Sequence, residues 1–205
     1  MYFGEKFNAL THIIGAVLAL CGTVALVVLA AVDGDPWKVV SVSIYGVTLV
    51  MLYSFSAFYH SLRGQAKDFL RKLDHHSIYL LIAGSYTPFC LVTLRGPWGW
   101  TLLGVVWGLA ALGSWQELRP KSEARLLSVV IYVGMGWLAL AALIPLLKAL
   151  GPFGFAWLLA GGLFYTGGIV FYALDTRLAH AHGIWHLFVI AGSAAHYVAI
   201  LRYVL

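Results

Sequence analysis

Seven long stretches without a single Lys, Arg, Asp or Glu constrain the fold of this chain more than any other feature. Each holds 20 or more residues, about the number that a helix needs to cross the hydrocarbon core of a bilayer. They lack the alternating apolar and polar pattern of a membrane β-barrel, so helices are the expected spans. The stretches are 7–32, 39–62, 75–94, 96–116, 126–147, 149–174 and 178–201.

The composition agrees with a chain that lies mostly in a bilayer. Of its 205 residues, 61% are hydrophobic and only 10% are charged, whereas soluble domains carry about 25% charged residues. Cys21 and Cys90 sit in apolar runs without CxxC spacing, which argues against a disulfide framework or a thiolate metal site. The sequence therefore predicts an all-α integral membrane protein, a seven-transmembrane helix bundle forming one domain over residues 1–205.

The basic residues predict the orientation of this bundle. The net charge of +5 is better explained by loops on the cytoplasmic side than by nucleic acid as a partner. Nine basic residues fall on the side that holds the N-terminus and four on the other, so we expect a cytoplasmic N-terminus, an outside C-terminus and a bacterial inner membrane location. The nine are Lys6, Arg63, Lys67, Arg71, Lys72, Arg119, Lys121, Arg125 and Arg177, and the four are Lys38, Arg95, Lys148 and Arg202.

Seven of the eight histidines lie near the predicted cytoplasmic ends of the spans, where an ionisable residue is functional by default. His182 and His186 are four residues apart, a spacing that puts two imidazoles on one helix face and lets them bind one zinc ion. Two histidines at this spacing are also often incidental. The other histidines of this set are His12, His60, His75, His76 and His180, and only His196 lies deep in the opposite half.

Three further polar residues near these ends extend the candidate site. His60 closes the second span and can supply a third ligand, and Ser56 lies one turn deeper on the same face. The alternative for Ser56 is a hydroxyl bonded to its own helix backbone. Asp74 opens the third span, where its carboxylate can orient a water molecule at the metal or accept its proton. An N-cap role for Asp74 is the alternative, and both roles can hold together.

A polar stripe opens the first span. Glu5, Asn8 and His12 follow an i, i+3, i+7 spacing that places them on one helix face. They either close the site from the side or form a polar helix end at the level of the lipid headgroups. Three neutral histidines with one open position are typical of a catalytic zinc site, and an amide or ester bond of a membrane lipid is a suitable target for it.

Together these motifs resemble the hemolysin III family of the progestin and adipoQ receptor superfamily, over nearly the whole chain. The resemblance implies a zinc ion bound by His60, His182 and His186 near the cytoplasmic face, with Asp74 and Ser56 holding the water. Some eukaryotic relatives are similar to ceramide hydrolases, and the family name implies cell lysis. The matching segments are Glu5, Asn8 and His12, Ser56-Ala-Phe-Tyr-His60, Lys72-Leu73-Asp74-His75, and His182-Gly-Ile-Trp-His186-Leu-Phe-Val.

Three functions remain open at this point. The first is a membrane-embedded zinc hydrolase of a lipid amide or ester, with membrane lipid as its partner. The second is a receptor or sensor in which the zinc is structural, although the chain lacks the long N-terminal extension of the hormone receptors. The third is a cytolytic pore or a transporter. Transporters carry broken helices near the midplane, whereas the polar cluster here lies near one face, which weighs against transport.

Overall fold

The computed structural model describes residues 4–118 and 124–205, apart from the side chains of Ala124 and Arg125. All regular structure in these residues is helical. Arg119 and Lys121, two of the basic residues used to predict the orientation, lie outside the described residues. The helices are α1 (Lys6–Asp33), α2 (Pro36–Ser61), α3 (Gln65–Pro88), α4 (Pro97–Gln116), α5 (Ala124–Trp137), α6 (Leu143–Ala173) and α7 (Ala181–Tyr203).

The helices form a closed ring. Each helix packs against its neighbours in the sequence, and α1 also packs against α7. Tyr45, Tyr79 and Ile200 are fully buried inside the ring, while large apolar side chains such as Val32 and Phe153 are 82% and 77% exposed on the outside. An apolar outer surface is expected where lipid, and not water, surrounds the helices.

Four helical stretches among the described residues are long and apolar enough to cross a membrane by length and composition. They are Lys6–Asp33, Pro36–Ser61, Leu126–Ala173 and Ala181–Tyr203. The 28 residues of α1 extend over about 42 Å, more than the roughly 30 Å of a hydrocarbon core. The chain is thus a helical membrane protein, and the count of seven spans stays a prediction.

The fifth and the sixth predicted spans each contain one interruption of the regular α-helix. A short 3-10 segment, Leu138–Ala142, separates α5 from α6, and Gly151, with φ 66° and ψ 175°, kinks α6 just before Pro152. Gly151 suits this position because a positive φ is rare for residues with a Cβ. The 3-10 segment lies beside α3, whose Tyr86 hydroxyl contacts its backbone.

The Tyr86 hydroxyl pairs with backbone groups where α5 passes into the 3-10 segment. It donates toward the carbonyl oxygens of Met135, at 2.8 Å, and Gly136, at 2.9 Å, and it accepts from the backbone N–H of Ala139 at 2.8 Å. Because no water reaches the hydrocarbon region, backbone groups that leave a helix there need such a partner.

Candidate metal centre

Closure of the helix ring brings the C-terminal end of α2 and the N-terminal end of α7 together. His60 lies in the last turn of α2, and His182 and His186 lie in the first turns of α7 on one face. His60 and His186 are buried, with 2% and 0% of their surface exposed, and the side chain of His182 is 24% exposed. The three predicted ligands therefore meet at one end of the bundle.

These three imidazoles converge closely enough to hold a metal ion. One potential ligand atom from each lies within 4.8 Å of the other two. The ring centroids are 5.0 Å apart for His60 and His182, 5.1 Å for His60 and His186, and 4.8 Å for His182 and His186. The Nε2 atom of each ring is buried without a hydrogen-bond partner among the described residues. Buried polar atoms normally have partners, so three unpaired nitrogens in one cluster fit a cation.

The other nitrogen of each ring is held by oxygen, beginning with two carboxylates. His60 Nδ1 lies 2.5 Å from Glu5 Oε2, and His182 Nδ1 lies 3.4 Å from Asp175 Oδ2. An Nδ1–H that donates to a carboxylate leaves the lone pair of Nε2 free. Metal-binding histidines commonly donate their second N–H to a carboxylate or carbonyl in this way, which fixes the ring orientation.

His186 is held in the same manner by α1. Its Nδ1 lies 3.2 Å from the carbonyl oxygen of Asn8 and 3.1 Å from the Thr11 hydroxyl. Because that hydroxyl donates to the carbonyl oxygens of Phe7 and Asn8, it accepts from His186. α1 supplies none of the three converging imidazoles, yet its oxygens orient two of them.

The Glu5 carboxylate accepts hydrogen bonds from three other side chains. Oε2 accepts from His60 and from the Asn8 side-chain amide at 3.0 Å, and Oε1 accepts from Lys67 Nζ at 2.8 Å. Burial opposes ionisation of this carboxyl, but the hydrogen bonds from Lys67, His60 and Asn8 outweigh it and lower the pKa of Glu5 to about 2. Glu5 is therefore a carboxylate at neutral pH, and all three members of the predicted polar stripe, Glu5, Asn8 and His12, contact a histidine of the cluster.

Asp74 and Ser56 form a pair, and Ser56 lies one helical turn before His60 on α2. Both are buried, with 9% and 1% of their surface exposed, and the Ser56 hydroxyl hydrogen-bonds to the Asp74 side chain. The expectation that Asp74 caps α3 is wrong, because the charged segment that precedes it is itself helical and α3 begins at Gln65 with Gly64 at the N-cap. The Asp74 carboxylate is not among the atoms of the three-residue group described above.

His12 lies between this cluster and the interior of the bundle. Its ring stacks on that of His186, with centroids 3.6 Å apart and an interplanar angle of 14°, and it meets the edge of Tyr53 at 5.0 Å. His12 is 2% exposed, and neither ring nitrogen has a hydrogen-bond partner among the described residues.

A largely apolar cavity of about 170 Å³ runs through the bundle from this end. Its lining includes Asp74, His12, which stacks on His186, and His196 in the other half of α7. Apolar side chains such as Leu52 and Val189 form most of its wall. The cavity thus connects the polar end of the bundle to a space suited to hydrocarbon.

The remaining histidines have other surroundings. His75 Nδ1 lies 2.7 Å from the Arg71 carbonyl oxygen of its own helix, and His196 Nε2 donates to the Leu158 carbonyl oxygen at 3.2 Å. Nothing in the residue pattern selected Thr11 or Asp175, each of which contacts one of the three histidines. Asp175 contacts α7 across the turn that joins α6 to α7, and Thr11 contacts α7 from α1. Residue spacing alone does not show such contacts.

Comparison with known proteins supports the resemblance noted in the sequence. Residues 2–197 match the family described as "Haemolysin-III related". The chain is 43% identical to "Hemolysin-3" of Bacillus cereus over 98% of its own length and 92% of that protein. It is 42% identical to the "Hemolysin-3 homolog" of Bacillus subtilis (strain 168), over 97% and 93%. It is also 30% identical to the human "Monocyte to macrophage differentiation factor", over 96% and 82%.

The chain therefore belongs to the hemolysin III family, and its relatives extend to mammals. It is an integral membrane protein, and its similarity to the two Bacillus proteins supports a location in the bacterial plasma membrane.

Proposed function

We propose that this protein is a zinc-dependent hydrolase that cleaves an amide or ester bond of a membrane lipid. One observation carries the proposal: three buried Nε2 atoms converge without partners, while every Nδ1 of the same rings contacts an oxygen. Three histidines and one open position form a common ligand set of catalytic zinc, whereas structural zinc sites usually have four protein ligands.

His60, His182 and His186 would hold the ion. Zinc bound by such ligands lowers the pKa of water to about 7 and polarises a carbonyl group. The oxygens of Glu5 and Asp175 support this role, because a carboxylate that accepts from the second ring nitrogen raises the basicity of a ligand and fixes its direction.

Asp74 would act as the general base and Ser56 would orient its carboxylate. In this scheme a water oxygen bonds to the carbonyl carbon of the lipid while the Asp74 carboxylate takes the water proton. The C–N or C–O bond then breaks, and the proton held by Asp74 passes to the departing amine or alkoxide. The products are a carboxylic acid and an amine or alcohol, and Asp74 returns to its ionised form.

The cavity supports a lipid as the substrate. Asp74 lines the same cavity as a wall of apolar side chains, so a bond placed beside the carboxylate can have its hydrocarbon chain in the interior. Burial of that chain contributes about 0.8 kcal/mol per methylene in transfer from water, although a lipid leaving the bilayer gains much less because its chains are already in hydrocarbon. The cavity would therefore determine which chain fits more than how tightly it binds.

The orientation of the protein follows from the same proposal. We infer seven spans with the N-terminus in the cytoplasm and the C-terminus outside, since nine basic residues fall on the first side and four on the second. The ends of α2 and α7 that carry the three histidines then lie at the cytoplasmic face, where the bond to be cleaved would be presented.

The test combines metal analysis with a lipid hydrolysis screen on purified protein. We expect about one zinc per chain and turnover of at least one lipid amide or ester. Asp74→Asn keeps the size of the side chain and removes its charge, so it should retain zinc and fold while losing about 100-fold or more in turnover.

Two results would contradict the proposal. If Asp74→Asn loses its zinc, Asp74 is a ligand or a structural residue and not the base. If the zinc-loaded wild-type protein cleaves no lipid amide or ester in a broad panel, a receptor or sensor with structural zinc explains the site better.

A further inference from the structure

His12 has no role in the hydrolytic scheme, although it lines the cavity and stacks on the proposed ligand His186. Two cavity-lining side chains make ring contacts with His186: His12 stacks on it at 3.6 Å, and Trp185 lies at 5.4 Å. A lipid that enters the cavity and extends to the histidine cluster therefore passes these two rings. Only His12 of the two has unpaired buried polar atoms.

The chain offers His12 no hydrogen-bond partner in the described residues. A neutral imidazole has one N–H and one lone pair, and both ring nitrogens of His12 are buried and unpaired. The neighbouring ring of His186 lies parallel to it, and the Tyr53 hydroxyl donates instead to Ser193 Oγ at 2.8 Å. Since buried polar groups are rarely left unpaired, we expect the partner of His12 to come from outside the described residues.

We propose that His12 binds the substrate, donating its ring N–H to the carbonyl oxygen of the lipid amide or ester. This inference rests on the proposed hydrolase function. The position suits it, because His12 and Asp74 both line the cavity and His12 also stacks on the proposed ligand His186. The stack on His186 and the edge contact with Tyr53 hold the ring and limit its rotation. A fixed donor aimed at an oxygen that gains negative charge stabilises the transition state more than the ground state.

The first measurement is kinetic. His12→Phe keeps an aromatic ring against His186 and removes both nitrogens, whereas His12→Gln restores a donor on a flexible chain. Loss of one such donor lowers kcat by about 10²- to 10³-fold. We expect this loss in His12→Phe, a partial recovery in His12→Gln, and wild-type zinc content in both. Tyr197→Phe is the control, because it also removes a polar group from a ring between α1 and α7, where its hydroxyl donates to the Gly22 carbonyl oxygen. Tyr197 is not among the residues that line the cavity, so its kcat should stay near that of the wild type.

The second measurement does not depend on hydrolysis or on metal. A long-chain methyl ketone, 2-tridecanone labelled with ¹³C at its carbonyl, cannot be hydrolysed. It is added to chelator-treated protein in detergent micelles. Hydrogen bonding to the ketone oxygen moves the carbonyl resonance downfield. The wild type and Tyr197→Phe should show this shift, His12→Phe should not, and His12→Gln should show part of it.

The outcomes separate this inference from the proposed function. A downfield shift in the wild type that disappears in His12→Phe supports the His12 contact even if no lipid is ever cleaved. An equal shift in His12→Phe, or none in the wild type, overturns it. Joint loss of zinc and folding in His12→Phe and His12→Gln would make His12 a packing support for His186 instead. Should only His12→Phe fail to fold, His12→Met removes the same nitrogens with a flexible side chain and gives the same comparison.

Discussion

Replacing Glu5 by Gln tests whether the oxygens of α1 tune the metal site. The substitution keeps the shape of the side chain, but a neutral amide replaces the carboxylate that lies 2.5 Å from His60 Nδ1 and 2.8 Å from Lys67 Nζ. Removing a hydrogen-bond partner of a metal-binding histidine typically lowers metal affinity by 10- to 100-fold. We therefore expect zinc to bind about 10- to 100-fold more weakly, equivalent to about 1.4–2.8 kcal/mol. The Glu5 side chain is 21% exposed, so water replaces part of the lost interaction and limits the effect to this range.

The assay is competition for zinc between the purified protein and a chelator of known affinity. Asp68→Asn is the matched control, because it also removes one negative charge near this end of the bundle. Asp68 is 73% exposed and pairs with Arg71 at 3.4 Å, so its substitution should leave zinc affinity unchanged. Equal losses in the two variants would mean that only net charge matters. Unchanged affinity in Glu5→Gln would refute the idea that α1 orients the ligands.

Three further predictions concern the metal, the helix contacts and the orientation. The His182→Ala, His186→Ala double variant should lose its zinc by elemental analysis, while His196→Ala should keep it, and retained zinc in the double variant would exclude the assigned site. Gly183→Ala places a Cβ against the Phe7 ring, so that ring must shift and the packing of α1 on α7 is disturbed; thermal unfolding should show a loss of about 1–3 kcal/mol, and an unchanged melting temperature would contradict this. Reporter fusions should show a cytoplasmic N-terminus and an outside C-terminus, and the opposite pattern would reverse the proposed orientation.

A helix has nearly the same limits as its apolar run where turn residues stand at the end of that run. The run 7–32 becomes α1 at Lys6–Asp33, and the run 39–62 corresponds to α2 at Pro36–Ser61, since Gly34 in the left-handed region ends the first helix and Asp35 caps the second. α3 differs, because it begins at Gln65, ten residues before the apolar run at 75. Charged residues end a membrane span but not a helix, so hydropathy did not predict this extension.

The ligands of the candidate site could be predicted more completely than their supports. His182 and His186 were found from spacing on one helix, and His60 from its position at the matching end of another span. Thr11 and Asp175 were not found, since their contacts arise only after the ring closes and brings other elements against α7. The prediction that Asp74 is an N-cap was wrong for a local reason. The helix continues through the charged segment before Asp74, so no helix begins at that residue.

The Tyr86 hydroxyl on α3 has a consequence for the biogenesis of the protein. It pairs with the carbonyl oxygens of Met135 and Gly136 at the end of α5 and with the N–H of Ala139 in the 3-10 segment that follows. Such groups cost several kcal/mol each if they enter lipid unpaired. Ribosomes deliver α3 to the membrane before α5, so the hydroxyl is already in place when the interrupted segment leaves the translocon. The helix that carries the partner is thus synthesised before the helix whose backbone needs it. A circular permutant that delivers α5 before α3 should insert less efficiently.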